Sequence, residues 1–506
     1  GAAGAKVVRT EKVGSGGYCS LVNQPLRTGY PQLDAYGEAR RTVAHASIDG
    51  YYRNARAERK KAARARQAGS GGGATDDDGG GGGGGGAASS PSPSDVDAAA
   101  RDAVRCLEHA MVVVAGEKSV YRCVVASHAT ATATATSASV TGGGVGSREY
   151  RDGLKVAYSH VVAVVVDRAM DIIETVFLKD ARTATPPVLP TKDGAAAAAS
   201  SDPNSDDAAG VRVYGSAAAA GLRILDGVRM LGPSLAKLCD VSHDKDKGSG
   251  GGGGGGGDAT TSIASDLCIA IHRTTVKNAA RTLENLAKAI QADPLDGETH
   301  RPRDARVATV SSDVVRAIRL VAPFTSAYKS VTKRRALPWD PKMGDESNDL
   351  DSYVRFLIMR MLNSLQGKAL NYAKDPGADA SAKSTLFMMN NTFYLLEQLG
   401  ATSRHKTKEL PDGEIDGDTF RIDSPWFREK VGKIFEAEKT KYVKHWEVLN
   451  SHLTSVDKSE LTYQGGSDKL LSLESGRLIK ARFSGFIEDF EKLYSVHQPL
   501  AVVDPK

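Results

Sequence analysis

Wherever glycine- and alanine-rich sequence does not interrupt it, this chain repeats apolar residues at spacings of three and four, and that periodicity constrains the fold more than any other feature. Val104, Leu107, Met111 and Val114 follow it in 95–126, and Leu154, Val161, Val165, Ile172, Val176 and Phe177 in 150–179. Ile224, Val228, Leu231, Leu235 and Leu238 continue the pattern, as do Ile271, Leu283, Leu286 and Ile290, then Val310, Val314, Ile318 and Val321. An α-helix turns once in about 3.6 residues, so such spacing gathers apolar side chains on one face. Alternation of the strand type is rare. The expected fold is all-α: an elongated rod of consecutive antiparallel helical bundles with disordered Gly/Ala-rich insertions.

The last third carries the clearest pattern. Leu350, Val354, Leu357, Met361 and Leu365 predict a helix near 349–366, and Leu386, Met389, Phe393 and Leu396 one near 383–399. Ser424 and Pro425 fit the N-cap and first turn of a third helix, with Phe427, Val431, Ile434, Tyr442, Trp446, Leu449 and Leu453 on its stripe. The closing helix presents Ile479, Phe483, Phe486, Phe490 and Leu493, with Glu488 and Lys492 as an exposed pair one turn apart. Its phenylalanines are expected to pack in a core.

Four low-complexity stretches are expected as flexible insertions, because they hold too little apolar surface to offset the entropy of ordering. They are a Gly/Ser/Asp run at 69–94, an Ala-Thr alternation with a Gly cluster at 128–147, an Ala/Pro/Ser stretch at 184–220 and poly-Gly at 246–258. The expected organisation is the end of an N-terminal helical segment at 1–68, a linker at 69–94, middle helical bundles at 95–345 and a C-terminal bundle region at 346–506.

Several function classes find no support. The net charge of +5 is a small difference between 66 basic and 61 acidic residues, and aromatic residues make up only 6%, so neither a general affinity for nucleic acid nor a stacking platform is implied. The five cysteines, Cys19, Cys106, Cys123, Cys239 and Cys268, are odd in number and widely spaced, which fits free thiols in a reducing compartment and not a zinc site. The longest apolar runs, such as "VVAVVV" at 161–166, fall well short of the roughly 20 residues a membrane helix needs. No phosphate-loop, zinc-protease or nucleophile-elbow motif occurs, so no catalytic residue, cofactor or metal ligand is assigned. Residues 412–423, "DGEIDGDTFRID", approach a calcium-loop template, but Glu414 at the third position and Asp423 at the last favour a solvated acidic loop. Asn390-Asn391-Thr392 matches a glycosylation sequon inside a helical run and is discounted.

Three basic clusters are candidates for binding. Residues 53–67 carry seven basic side chains against one Glu; the others are Lys333, Arg334 and Arg335, and Arg477, Lys480 and Arg482. Each is read as a solvated face unless it meets anionic lipid headgroups or an acidic partner.

Some of these segments resemble a known family. "YVRFLIMRMLNSLQGKALNYAKDP" at 353–376, followed by "LFMMNNTFYLLEQL" at 386–399, is similar to the seventy-kilodalton subunit of the exocyst, in which Lys368, Tyr372, Asp375, Pro376, Asn390 and Asn391 match. "WFREKVGKIFEAEKTKYVKHWEVL" at 426–449 and "IKARFSGFIEDFEKLY" at 479–494 resemble its later helices, with Lys480, Arg482, Phe483 and Phe486 in place. "NLAKAIQADP" at 285–294 and "YGEARRTVAHASIDGYYRNAR" at 36–56 are weaker matches. The resemblance implies a non-enzymatic protein, cytoplasmic and peripheral at the plasma membrane, that tethers secretory vesicles during exocytosis. Its implied partners are other exocyst subunits, Rho-family small GTPases and membranes containing phosphatidylinositol bisphosphate; nucleic acid is not expected. It also implies truncation at both ends, with the family's main lipid patch missing and phosphoinositide binding weak. Two alternatives stay open on the residues: another helical-rod tether or scaffold, and a basic nucleic-acid-binding helical protein using 53–67.

Overall fold

A computed structural model describes residues 26–69, 93–135, 148–177, 210–239, 260–297, 300–333, 350–377, 380–400, 420–422, 424–454, 461–464 and 470–502. Its elements are α1 (Pro31–Gly69), α2 (Pro93–Ala135), α3 (Arg148–Thr175), α4 (Gly210–Cys239), α5 (Thr260–Gln291), α6 (Thr309–Val321), α7 (Thr325–Thr332), α8 (Leu350–Lys374), α9 (Ala380–Leu399), α10 (Pro425–Leu453) and α11 (Leu473–His497). Among the described residues the only β pairing is two isolated bridges, Gly400 with Ile422 and Tyr463 with Leu471. The all-α expectation holds.

The chain divides into two compact units, which are described separately. The first draws on Gly1–Pro186, Ser216–Leu283 and Ser326–Leu337. Its core joins Leu33 and Ile48 of α1, Val96, Leu107 and Val114 of α2, and Val161, Val165 and Ile172 of α3 to Ile224, Val228 and Leu235 of α4. Every residue from Val161 to Val166 is buried, so α3 is enclosed on all sides, as a helix apolar around its whole circumference must be. At Gly221 an added methyl carbon would lie 2.7 Å from the Thr282 hydroxyl and 3.3 Å from the Phe177 ring, so only glycine permits that approach of helices. Ion pairs tie the helices at their edges: Arg40 to Glu117, Arg168 Nε to Asp49 at 2.5 Å, Arg59 to Asp102 at 3.1 Å and Arg223 to Asp97 at 2.9 Å.

The second unit comprises Pro187–Gly215, Glu284–Thr325 and Pro338–Lys506. Val310, Val314, Ile318 and Val321 of α6 pack in a core with Leu357, Met361 and Leu365 of α8 and Leu386, Phe387 and Leu395 of α9, all buried. Ser424 occupies the N-cap of α10 as expected, but its hydroxyl is engaged by Arg355 at 3.1 Å and does not bond the helix.

Helices reach further into the biased stretches than composition implies. α2 continues to Ala135, so 128–135 is helix. α4 begins at Gly210, and Ala217, Ala218, Ala219 and Ala220 are all buried. Alanine is the best helix former and its small side chain admits close neighbours, which outweighs low complexity here. α1 runs to Gly69 and α2 begins at Pro93, so the helices take in both ends of the expected linker; residues 70–92, the remainder of the other stretches and the poly-Gly segment lie outside the described residues, as does the calcium-loop candidate apart from 420–422.

Candidate functional site

The residues that carry the family resemblance in 285–392 converge on one place in the second unit. Lys368 of α8 is 0% exposed. Its ammonium lies 2.5 Å from Asp293 Oδ2, itself nearly buried, and donates to the His300 carbonyl at 2.9 Å. His300 Nδ1 sits 3.2 Å from the other oxygen of Asp293, and the Ser364 hydroxyl donates to Oδ2 at 3.4 Å. One turn further along α8, Tyr372 donates its phenol to the Pro302 carbonyl. Arg301 pairs with Asp375 at 2.6 Å while its guanidinium lies 4.8 Å from the Tyr372 ring centre. The C-terminal half of α8 thus grips the segment between α5 and α6 by its side chains and its carbonyls.

From the opposite side α9 completes the grip. Asn390 Nδ2 donates to the carbonyls of Ala305 at 2.9 Å and Ala501 at 2.8 Å. Asn391 Oδ1 accepts from the Ala308 amide at 2.9 Å and the Ser311 hydroxyl at 2.7 Å, and so serves the otherwise uncapped start of α6. Ala305 stands at φ 59, a left-handed conformation uncommon for a residue with a Cβ, and the Asn390 bond to its carbonyl helps hold it there. Asn390 and Asn391 are buried, so the sequon is inaccessible in the folded chain.

Burial depresses the Lys368 amine and Asp293 works against that shift; burial likewise pushes the Tyr372 phenol up. Lysine, aspartate and histidine in line are the groups of acid–base catalysis. Here the ammonium is wholly enclosed and committed to Asp293 and the His300 carbonyl, so the arrangement acts as a buried polar clamp. The pairing of α8 and α9 side chains with partners 68 to 111 residues away gave no local signal in the sequence.

The proposed binding residues lie elsewhere. Arg477 and Lys480 are exposed on the first half of α11. Arg482, on another face, donates to the carbonyl of Thr454, the C-cap of α10, at 3.1 Å, and is part of the packing. Lys333 is exposed just after α7; Arg334 and Arg335 lie outside the described residues. Within the second unit, Arg477 and Lys480 remain exposed together while Arg482 is drawn to α10. On α1, Lys60 and Lys61 are exposed, whereas Arg59 turns to Asp102.

The expectation of core packing fails for Phe483 and Phe490 of α11, whereas Phe486 is half-buried. Phe483 is 63% exposed, Ile487 54%, Phe490 41% and Tyr494 54%. From Lys480 to Tyr494 these positions alternate in steps of three and four, the first and fourth places of a heptad; Leu473 lies one heptad before Lys480, with Gly476 at the fourth place between them. Ile479, Phe486 and Leu493 are half-buried on the neighbouring side, where Asp489 pairs with His452 of α10 at 2.9 Å and Tyr442 meets His497 at 3.1 Å. The apolar face of α11 is wider than α10 can cover. Periodicity had shown that the face is apolar but not what lies against it.

Among the described residues no group of three metal-ligating side chains comes together, and no helix is long and apolar enough to cross a membrane. In the second unit the clamp directs polar groups inward to hold helices and α11 directs apolar side chains outward, the plan of a helical scaffold. A family model for the C-terminal part of Exo70, a component of the exocyst complex, matches residues 224–506, more than half of the chain, and the chain belongs to that family. No curated protein matches it significantly. The family is a non-enzymatic tethering scaffold: its members act with other exocyst subunits to tether secretory vesicles at the cytoplasmic side of the plasma membrane.

Proposed function

We propose that this chain acts in vesicle tethering without a catalytic centre, and that the outward seam of α11 receives a helix of another exocyst subunit. The observation that carries this reading is the heptad run Leu473, Lys480, Phe483, Ile487, Phe490 and Tyr494 on the exposed side of a helix whose other side is committed to α10. Such a seam buries its residues as knobs against a partner helix, and a lone polar residue in it, here Lys480, sets register. Arg477 and Lys480 supply positive charge at one end of the seam, suited to acidic surfaces of Rho-family small GTPases and to phosphoinositide headgroups. Charges near an anionic surface contribute about 1 kcal/mol each, so two exposed cations support weak membrane attachment only. Lys333 and its neighbours Arg334 and Arg335 would add to a peripheral location at the plasma membrane.

Co-precipitation of exocyst subunits with the full chain and with a Phe483→Ser/Ile487→Ser/Phe490→Ser variant tests the reading. Loss of binding to those subunits with an unchanged melting temperature is expected; undiminished binding would refute the seam as the contact. Flotation with phosphatidylinositol bisphosphate vesicles should show weak binding that falls further in Arg477→Glu/Lys480→Glu.

A further inference from the structure

The basic run in the second half of α1 is used by neither the clamp nor the seam. Arg53, Arg56, Lys60, Lys61 and Arg64 are all exposed. At 3.6 residues per turn they fall within an arc of roughly 140° and extend over about 16 Å of helix. Glu58, the one acid of the run, lies outside that arc. The helix packs by its other side: Tyr52 is buried, Tyr51 stacks on His109 at 4.6 Å, and Arg59 meets Asp102 at 3.1 Å and the Asp95 carbonyl at 3.4 Å. Cations that hold this unit together are paired with carboxylates, as Arg40 is with Glu117, Arg168 with Asp49 and Arg223 with Asp97. Among the described residues no carboxylate pairs with any of the five, and Arg53 bonds instead to the Asp49 carbonyl at 3.3 Å. Like charges three and four residues apart, Arg53 with Arg56, Arg56 with Lys60 and Lys60 with Arg64, repel along the helix. An anionic surface laid against this face would relieve that repulsion.

We propose that this face of α1 is a docking surface for the anionic lipid of a membrane, which it reads as surface charge and not as one particular headgroup. Cations spread along a helix lying on a bilayer each face the negative surface, and each contributes roughly a fivefold gain in binding. Two features favour lipid over nucleic acid. The face carries no aromatic side chain on which a base could stack, since Tyr51 and Tyr52 are turned into the protein. The family to which the chain belongs works at the plasma membrane, whose cytoplasmic leaflet is anionic. The five cations are interleaved with alanines and not with large apolar side chains, so contact stays at headgroup level and is reversible and salt-sensitive. The choice of a membrane rests on the family's place of action, and neither the α11 seam nor Arg477 and Lys480 is needed for it.

The test is flotation of the full chain with vesicles of phosphatidylcholine alone, of phosphatidylcholine rich in phosphatidylserine, and of phosphatidylcholine with sparse phosphatidylinositol bisphosphate. Strong binding is expected to the phosphatidylserine-rich vesicles, with loss at high salt. Sparse phosphoinositide offers little surface charge and should bind the chain weakly. Lys60→Gln/Lys61→Gln should bind phosphatidylserine-rich vesicles about 30-fold less well, from two charges lost, with an unchanged melting temperature because both side chains are exposed. Lys60→Arg/Lys61→Arg should bind as wild type, and so should Arg477→Glu/Lys480→Glu, which separates this face from α11. The proposal is overturned if the chain ignores phosphatidylserine-rich vesicles, if Lys60→Gln/Lys61→Gln binds them as wild type does, or if duplex DNA at equal phosphate concentration strips the chain from them.

Discussion

The clamp region and the α10–α11 hairpin belong to the same unit and read alike as sequence, yet they are built on opposite plans. α8 and α9 each bury twelve residues, including Lys368, Ser364, Asn390, Asn391 and Thr392, so their polar groups have to be satisfied inside the protein. α10 buries three residues and α11 only Ser475, and their ion pairs, Glu429 with Lys433 and Glu488 with Lys492, lie in solvent. A buried pair is costly to break from one side, whereas an exposed one contributes little. The family signature in α8 and α9 therefore reports how the fold is held, and the apolar residues of α11 report where a partner can be received.

Breaking that contrast starts with Lys368. Lys368→Met keeps most of the packing but leaves Asp293 buried without its cation, and urea unfolding should show a loss of about 3–5 kcal/mol. Asn391→Ala strands the Ala308 amide and the Ser311 hydroxyl, and the same measurement should give a loss of about 1–3 kcal/mol. In the hairpin the effects shrink. Burial and the nearby His445 hold the His497 imidazole below its ordinary range, so the native chain binds fewer protons there than the unfolded chain. Its contribution is present at neutral pH and is lost as pH falls below about 6.5 and through the depressed value. Melting followed from pH 7 to 5 should show this slope diminished in His497→Phe. Asp489, held below the usual carboxylate range by His452, keeps its contribution through that window. Phe483→Ser should be nearly silent for stability, within about 0.5 kcal/mol, while reducing binding to other exocyst subunits.

The stripe Leu350, Val354, Leu357, Met361 and Leu365 was readable because every member is buried on one helix face. Phe483 and Phe490 obey the same spacing and are exposed, since period reports a face and not its neighbour. Ala217 to Ala220 were misread because composition weighs apolar bulk, whereas close helix contact needs the absence of bulk. The clamp was legible only as a resemblance. Lys368 looks like any surface lysine in a helix until Asp293 and His300 are brought to it by the fold, and no spacing rule connects them.

Hydrogen exchange of backbone amides in the native full chain tests the contrast most directly. Amides of α9 around Leu386–Leu395 should exchange only with global unfolding, while those of α11 around Phe483–Tyr494 should exchange at least about 100-fold faster, a difference of roughly 3 kcal/mol in opening free energy. Equal protection of the two helices would contradict the account, because it would mean that the hairpin is as deeply integrated as the clamp and has no face to offer.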